Sequence, residues 1–458
     1  MSVHRIHLIG AAVAAATMMA APAAAKPKPS VQIEGTLGVN ASLSHKVLPN
    51  YQATEVFASI KIMAREFVSE ERVPLNIALV VDRSSSMAGQ KIVQARTAAS
   101  ELLKVLGPQD RLSLISYSSE VSVDVTSMNV TPGNMAAFQD AIKQLQPGGY
   151  TNLSGGFTKG CEMVSNTIQE GSVNRVILMS DGQANRGVTE IRDLGKMADG
   201  CLKNGVSLTT VGMGLDYNED LMTAMARKGA GNYHFIEDGS KMASVFEHEA
   251  TGLAGTVARK AWLRVDMAPG VELLKVHGYS HKIDGNTVRV PLSEFASRQE
   301  KDILMRLSVS AQEKGDRPVL TFRLTYEDVL NDRKAKASSK LVASVSASKA
   351  VVVKNVEKDV VDHAQRVEVA ETMDEAMTAY ERGDQGRAQK VLEEQRARMN
   401  SQQAEYDFDG DSYGRVDSEL KAMSSSVKKN SSSSTEGKKL RKSKKKRSYD
   451  IMNSAEMF

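Results

Sequence analysis

The run Leu75-Asn76-Ile77-Ala78-Leu79-Val80-Val81 constrains the fold more than any other part of the chain. A short, nearly unbroken series of aliphatic and β-branched residues suits a strand buried on both faces. It ends at Asp82-Arg83-Ser84-Ser85-Ser86, after which Ile92, Ala95, Ala99, Leu102, Leu103 and Leu106 share one helical face until Gly107-Pro108. Buried strand, polar loop and amphipathic helix in that order form the repeating unit of a parallel sheet covered by helices. The unit recurs downstream. Residues 111–117 read as a second buried strand, while Val121, Val123 and Val125 alternate with Ser122 and Asp124 as an edge strand should. Val176-Ile177-Leu178-Met179 leads into Ser180-Asp181-Gly182. Helices near 190–203, 219–227 and 241–253 then alternate with strands at 207–211 and 233–235. The expected fold over residues 74–254 is an α/β, doubly wound, mostly parallel sheet.

The loops of this unit carry a consistent chemistry. Ser84, Ser86 and Thr151 offer hydroxyls, and Asp82 and Asp181 offer carboxylates. Thr151 follows the Gly148-Gly149 turn, just ahead of another helical stretch. Hard divalent cations take oxygen ligands, and Mg²⁺ keeps waters and is seldom caged by protein alone. So few charges leave the ion electrophilic, with a position open for water or for a partner's Asp or Glu. All of these loops lie where open α/β sheets place ligands. Taken singly, each element is ordinary: Ser and Asp cap helices, and Asp-Gly makes turns. Their order and context point to a metal.

With those residues in hand, the chain resembles von Willebrand factor type A domains that carry a metal-ion-dependent adhesion site, whose pattern is D-x-S-x-S, a distant Thr and a distant Asp. Asp82, Ser84 and Ser86 match the first element, Thr151 the second and Asp181 the third. The stretches Leu79-Val80-Val81-Asp82-Arg83-Ser84, Gly149-Tyr150-Thr151-Asn152-Leu153 and Met179-Ser180-Asp181-Gly182-Gln183-Ala184-Asn185 are most similar to bacterial proteins grouped with the calcium-activated chloride channel-like family. The resemblance implies a Rossmann-like domain holding Mg²⁺, or Ca²⁺ or Mn²⁺, and binding a protein ligand that supplies Asp or Glu. Ser85 departs from the family, which usually has Gly there; a Cβ is tolerated if the loop keeps φ negative, but this is the residue where strain is expected.

Outside residues 74–254 the period changes. Ile303, Met305, Leu307 and Val309 alternate, as do Leu320, Phe322, Leu324 and Tyr326, and Asp284-Gly285-Asn286 marks a hairpin turn. Val56, Ala58, Ile60 and Ile62 alternate ahead of the metal-site loops. Residues 31–73 and 255–352 therefore pair as one β-sandwich split by the inserted domain. A chain of 458 residues with 41% hydrophobic content can bury more than one core. Residues 355–400 read as a helical hairpin, with Ala376, Ala379, Gly383, Ala388 and Leu392 in one tetratricopeptide-like copy, too few for a solenoid.

Residues 401–458 read as a low-complexity basic tail. Asp407, Asp409 and Asp411 match the start of an EF-hand loop, but Ser412 and Ser418 replace its Gly and Glu, which argues against calcium there. Residues 428–447 carry a net +9; subtracting this from the chain's +4 leaves −5 elsewhere, so the basic excess is local and reads as disordered. Such a tail either contacts an anionic envelope surface or stays solvated. At the other end, residues 1–25 have the layout of a signal peptide: Arg5, an apolar run from Leu8 to Met19, and Ala23-Ala24-Ala25 before Lys26. The expectation is export to the periplasm, cell envelope or extracellular space, an uncleaved anchor being the other reading. No nucleic acid is expected as a partner.

Two readings stand for the only cysteines, Cys161 and Cys201: a disulfide between neighbouring helices, which export permits, or two small buried side chains. Gly212-Met213-Gly214 lacks the third glycine of a dinucleotide fingerprint, so no nucleotide is expected. His277 and His281 have zinc-helix spacing but flank Gly278 in a strand-and-turn region, and no G-x-S-x-G is present. The leading expectation is an adhesion or assembly scaffold and not an enzyme. The alternative is a metal-dependent hydrolase of the envelope, which would need a general base that the three loops do not supply.

Overall fold

The computed structural model describes residues 32–453 apart from 34, 51, 67–71, 238–240, 312–313 and 407–409. The expected signal peptide, and Asp407 and Asp409 of the EF-hand comparison, lie outside the described residues. Four strands come first: β1 (Gln32–Ile33), β2 (Leu37–Leu43), β3 (Val47–Pro49) and β4 (Thr54–Ala64). The inserted α/β unit follows as β5 (Leu75–Asp82), α1 (Gln90–Val105), β6 (Arg111–Tyr117), β7 (Val121–Asn129), α2 (Met135–Gln144), α3 (Leu153–Ser165), β8 (Val173–Ser180), α4 (Ile191–Lys203), β9 (Ser207–Met213), α5 (Glu219–Lys228), β10 (Ala230–Ile236) and α6 (Met242–Ala254).

Its sheet runs β10-β9-β8-β5-β6-β7, parallel throughout except for the antiparallel pairing of β6 with β7 at one edge. Every residue of β5, β8 and β9 is buried, as their apolar runs require. Alternation divides the strands between two cores. Ile77, Leu79, Val81, Ile177 and Met179 pack with α1, α2 and α6, whereas Ala78, Val80, Val176 and Leu178 pack with α3, α4 and α5. Helix α2 is absent from the sequence expectation; it buries only Phe138 and Ile142, one turn apart. Cys161 of α3 and Cys201 of α4 form a disulfide, their Cα atoms 6.0 Å apart.

The chain then returns to β structure through β11 (Thr256–Met267), β12 (Val271–Val276), β13 (Lys282–Asp284), β14 (Thr287–Ala296), β15 (Glu300–Val309), β16 (Gly315–Asp328) and β17 (Arg333–Ser346). One sheet runs β12-β15-β4-β2, the other β1-β17-β16-β11-β14-β13. Strand β4 lies antiparallel to β15 from Thr54 opposite Val309 to Met63 opposite Glu300. The first strands are thus completed by strands far downstream, Thr54 opposite Val309, and both sheets share one apolar core. Buried Asp328 fastens the halves, accepting from Thr36 N at 3.0 Å and Thr36 Oγ1 at 2.5 Å. Arg175 of β8, 2% exposed, ties the inserted unit to the sandwich by pairing with Glu294 of β14.

The C-terminal part comprises α7 (Lys349–Lys354), α8 (Lys358–Glu381), α9 (Gln385–Tyr406), α10 (Gly410–Lys429) and α11 (Thr435–Met452). Helices α8 and α9 are the expected hairpin. The expected disordered tail is not: α10 packs on α9, and α11 packs along α8 and against α5 and β10. Tyr413, Val416, Leu420, Met423 and Val427 of α10 join Met373, Met377 and Tyr380 of α8 in one core. Each Lys and Arg of α11 finds a carboxylate: Lys438 on Asp216, Lys439 on Glu237, Arg441 and Lys442 on Glu219, Lys445 on Asp220, Lys444 and Arg447 on Glu419, and Lys446 on Asp450. The charge run expected to be disordered is here paired, mostly with carboxylates of other elements. Among the described residues, no helix is long and apolar enough to cross a membrane.

Candidate metal site

The fold brings all five expected ligands to the carboxyl end of the sheet. Asp82 is the last residue of β5, and Asp181 directly follows β8, the strand paired beside it. After Asp82 a short 3-10 turn, Ser85–Met87, reverses the chain so that Ser84 and Ser86 stand side by side, their hydroxyls 3.0 Å apart. Ser84 N donates to Asp82 Oδ1 at 2.8 Å, and Ser86 Oγ donates to Asp181 Oδ1 at 2.7 Å. Thr151 arrives on a separate loop, locked by a reciprocal pair: Thr151 N donates to Asn185 Oδ1 at 2.8 Å and Asn185 N to Thr151 O at 3.2 Å. Gly149 turns that loop at φ 85°, and a Cβ there would lie 2.7 Å from Ser119 Oγ. A Cβ on Gly182 would stand 3.2 Å from Ser86 Oγ and 3.7 Å from Thr151 Oγ1, so these two hydroxyls border the same small space.

The strain expected at Ser85 is absent. Its φ is not positive, its amide donates to Gly149 O at 3.1 Å, and its hydroxyl donates to the same oxygen at 3.1 Å. A Cβ is tolerated there because the turn keeps ordinary backbone angles. His277 and His281 do not converge: His277 Nδ1 lies 2.9 Å from Glu371 Oε1, and His281 Nδ1 lies 3.2 Å from Tyr279 O.

The electrostatics are those of a place short of positive charge. Asp82 and Asp181 are both fully buried. Burial, the larger effect, and the neighbouring Asp181 charge push the Asp82 carboxyl up to about 6, against hydrogen bonds from Ser84 and Ser180. Ser180, which the sequence places in the Ser180-Asp181-Gly182 loop without a ligand role, donates its hydroxyl to Asp82 Oδ2 at 2.8 Å. Lys91 is likewise unmarked by the sequence. From the first turn of α1 its Nζ sits 2.5 Å from Asp181 Oδ2.

A hard cation fits this donor set. Two carboxylates and three hydroxyls converge, and Thr151 Oγ1 has no hydrogen-bond partner among the described residues. Among those residues no group of three His, Cys, Asp or Glu side chains gathers as a metal cage, so hydroxyls complete the set. Around it the surface is open: Tyr150, next to Thr151, is 64% exposed.

Known proteins agree with this architecture. The chain is 27% identical over 212 residues to the uncharacterized protein YfbK of Escherichia coli (strain K12), covering 46% of this chain and 36% of that protein. It is 27% identical over 227 residues to inter-alpha-trypsin inhibitor heavy chain H3 of Homo sapiens, covering 48% of this chain and 25% of that one. In both cases it spans less than two thirds of the relative's length. The fold as a whole matches the solved von Willebrand factor type A structure from Catenulispora acidiphila at a TM-score of 0.70 and 14% identity, covering 91% of this chain and 97% of the other. The family model for the von Willebrand factor type A domain matches residues 76–248, the stretch that runs from β5 into α6 and contains all five candidate ligands. Residues 76–248 of this chain are a von Willebrand factor type A domain.

Proposed function

We propose that the domain binds an acidic protein partner through a divalent cation held by Asp82, Ser84, Ser86, Thr151 and Asp181, and that the whole chain is an exported adhesion or assembly scaffold. The observation that carries this reading is the meeting of two fully buried carboxylates with three hydroxyls on an open face. Mg²⁺ fits best, with Ca²⁺ or Mn²⁺ as substitutes, because the donors are all oxygen and few of them are charged. When bound, the ion supplies an electrophilic position to which a partner's Asp or Glu can add. The chain's own residues prepare that position. Ser180 and the Ser84 amide hold Asp82 in place, Asn185 fixes the Thr151 loop, and exposed Tyr150 lies beside the position the partner would occupy.

Export draws support from the Cys161–Cys201 disulfide, since such bonds persist in oxidising compartments. The similarity of the ligand-bearing stretches to bacterial chloride channel-like relatives belongs to the same proposal. Contact of the basic C-terminal segment with an anionic surface does not, because its cations are already paired within the molecule. The test is recovery of partners from envelope extract on the immobilised chain, with Mg²⁺ or with EDTA, repeated with Asp82→Ala after its folding is checked by melting. Recovery should vanish with EDTA and in the variant. The same partners recovered in all conditions would sink the metal-dependent reading.

A further inference from the structure

Among the described residues, the one ammonium paired at the candidate metal site, Lys91, has a second carboxylate within its neighbourhood, and that carboxylate is held by the C-terminal helix. Lys91 Nζ lies 2.5 Å from Asp181 Oδ2, while the other Asp181 oxygen receives the Ser86 hydroxyl at 2.7 Å. Asp181 is therefore fully engaged on both oxygens, one of them by a cation. The Lys91 side chain is 30% exposed and so is not locked in place by packing. Its stem runs past Gly214, where Cε would lie 3.5 Å from an added Cβ. Two residues on, Asp216 Oδ1 accepts from Lys438 of α11 at 2.7 Å. The Asp216 carboxyl sits below its ordinary range chiefly through that hydrogen bond, and the charge of Lys91 contributes in the same direction.

A dication and an ammonium on one buried carboxylate repel each other, and the low local dielectric strengthens that repulsion. Lys91 satisfies Asp181 but offers no open coordination position to a partner. We propose that Lys91 is a tethered competitor of the divalent cation, capping Asp181 until the ion arrives and then moving toward Asp216, the carboxylate now bonded to Lys438 of α11. This inference rests on the proposed metal site. It adds that metal affinity is set partly by where Lys91 can go, and that Lys438 competes for the same destination. By linkage, metal binding and the grip of α11 on Asp216 then oppose each other.

The test uses the full-length chain and Mn²⁺ alone, with free Mn²⁺ read by electron paramagnetic resonance at one pH. Lys91→Met should bind Mn²⁺ on the order of tenfold more tightly than the wild type, a coupling of ordinary size. Lys438→Met should tighten binding by roughly threefold where Lys91 is present and have no effect in the Lys91→Met background, so the four proteins form a double-mutant cycle. Asp82→Asn serves as the non-binding control. Equal or weaker binding by Lys91→Met overturns the proposal while leaving the metal site standing. A Lys438 effect that persists without Lys91 overturns the route through Asp216. If wild type and Lys91→Met both fail to bind Mn²⁺, the metal site itself falls, and this inference with it. Should Lys91→Met not melt cooperatively, Lys91→Gln takes its place.

Discussion

Two pairs of acidic residues lie where strands of the same sheet give way to helices, and the protein treats them in opposite ways. Glu219 and Asp220, in the first turn of α5, meet Arg441, Lys442 and Lys445 of α11. Lys442 is wholly buried; its Nζ donates to Glu219 Oε2 at 2.6 Å and Tyr217 O at 2.7 Å and lies 3.7 Å from the Tyr217 ring centroid. Burial alone would raise the Glu219 carboxyl, but Lys442 and Arg441 outweigh it and hold the group below its ordinary 4.5. At the candidate metal site Asp82 and Asp181 are as deeply buried as Glu219, yet among the described residues only Lys91 pairs with them, and Asp82 is pushed up to about 6. The first cluster is closed by the chain itself. The second is left short of cation, as the metal site proposed above would require.

The contrast predicts opposite signs for carboxylate removal. Glu219→Ala leaves the Lys442 ammonium buried without its counter-charge, and breaking a buried pair in this way costs about 3–5 kcal/mol. Urea denaturation should show that loss; a change below about 1 kcal/mol would mean that Lys442 reaches water and the cluster is not closed. The same pair should be acid-sensitive. Because the folded Glu219 value is below the unfolded 4.5, its contribution is fully present above pH 4.5 and is lost as the pH falls through the folded value. Thermal melts at pH 6 and pH 3 should therefore converge for wild type and Glu219→Gln at the lower pH. A constant gap between them would break the assignment.

At the metal face the sign reverses. Asp82 is raised when folded, so the charged form burdens the metal-free protein at neutral pH, and stability falls as the pH rises from 3.8 through about 6. Asp82→Asn keeps an acceptor for the Ser84 amide and removes the charge. In EDTA at pH 7.5 this variant should be more stable by about 1–2 kcal/mol, the gain shrinking toward pH 5. A destabilised variant would show that Asp82 is structural and that the two clusters do not differ in kind.

How far this contrast could be read from sequence depended on where the partners lie. The strand ending at Asp82 was legible because burial on both faces demands an unbroken apolar run. The placement of the five candidate ligands was legible because each sits in a loop next to such a strand or helix. Helix α10 does carry a local signal, since Tyr413, Val416, Leu420, Met423 and Val427 recur at helical spacing, but the polar, basic composition of the segment masks it. Helix α11 is a different case. Its cations bind Asp216, Glu219 and Asp220, more than two hundred residues earlier, and no local pattern reports such pairing. Its local signs were Ser434, whose hydroxyl accepts from Gly437 N at 3.0 Å, and the closing apolar residues Tyr449, Ile451 and Met452. Lys91 was hidden for a simpler reason: a lysine in a helix's first turn is usually solvated, and only the approach of β8 brings Asp181 beneath it.

The smallest expected effect on stability belongs to Thr151, and it separates holding a metal from holding the fold. Its backbone is fixed by the reciprocal bonds to Asn185, while its hydroxyl has no protein partner among the described residues. Thr151→Ala removes one oxygen from the site and nothing from the loop's anchoring. Mg²⁺ affinity, measured by calorimetry, should drop on the order of tenfold, the scale on which loss of one supporting group weakens a metal site. Melting in EDTA should move by no more than about 0.5 kcal/mol equivalent, as for a substitution outside the packed core. If melting instead collapses while Asn185→Ala is harmless, the Thr151 hydroxyl anchors the loop, and the metal face would be as self-satisfied as the Glu219 cluster.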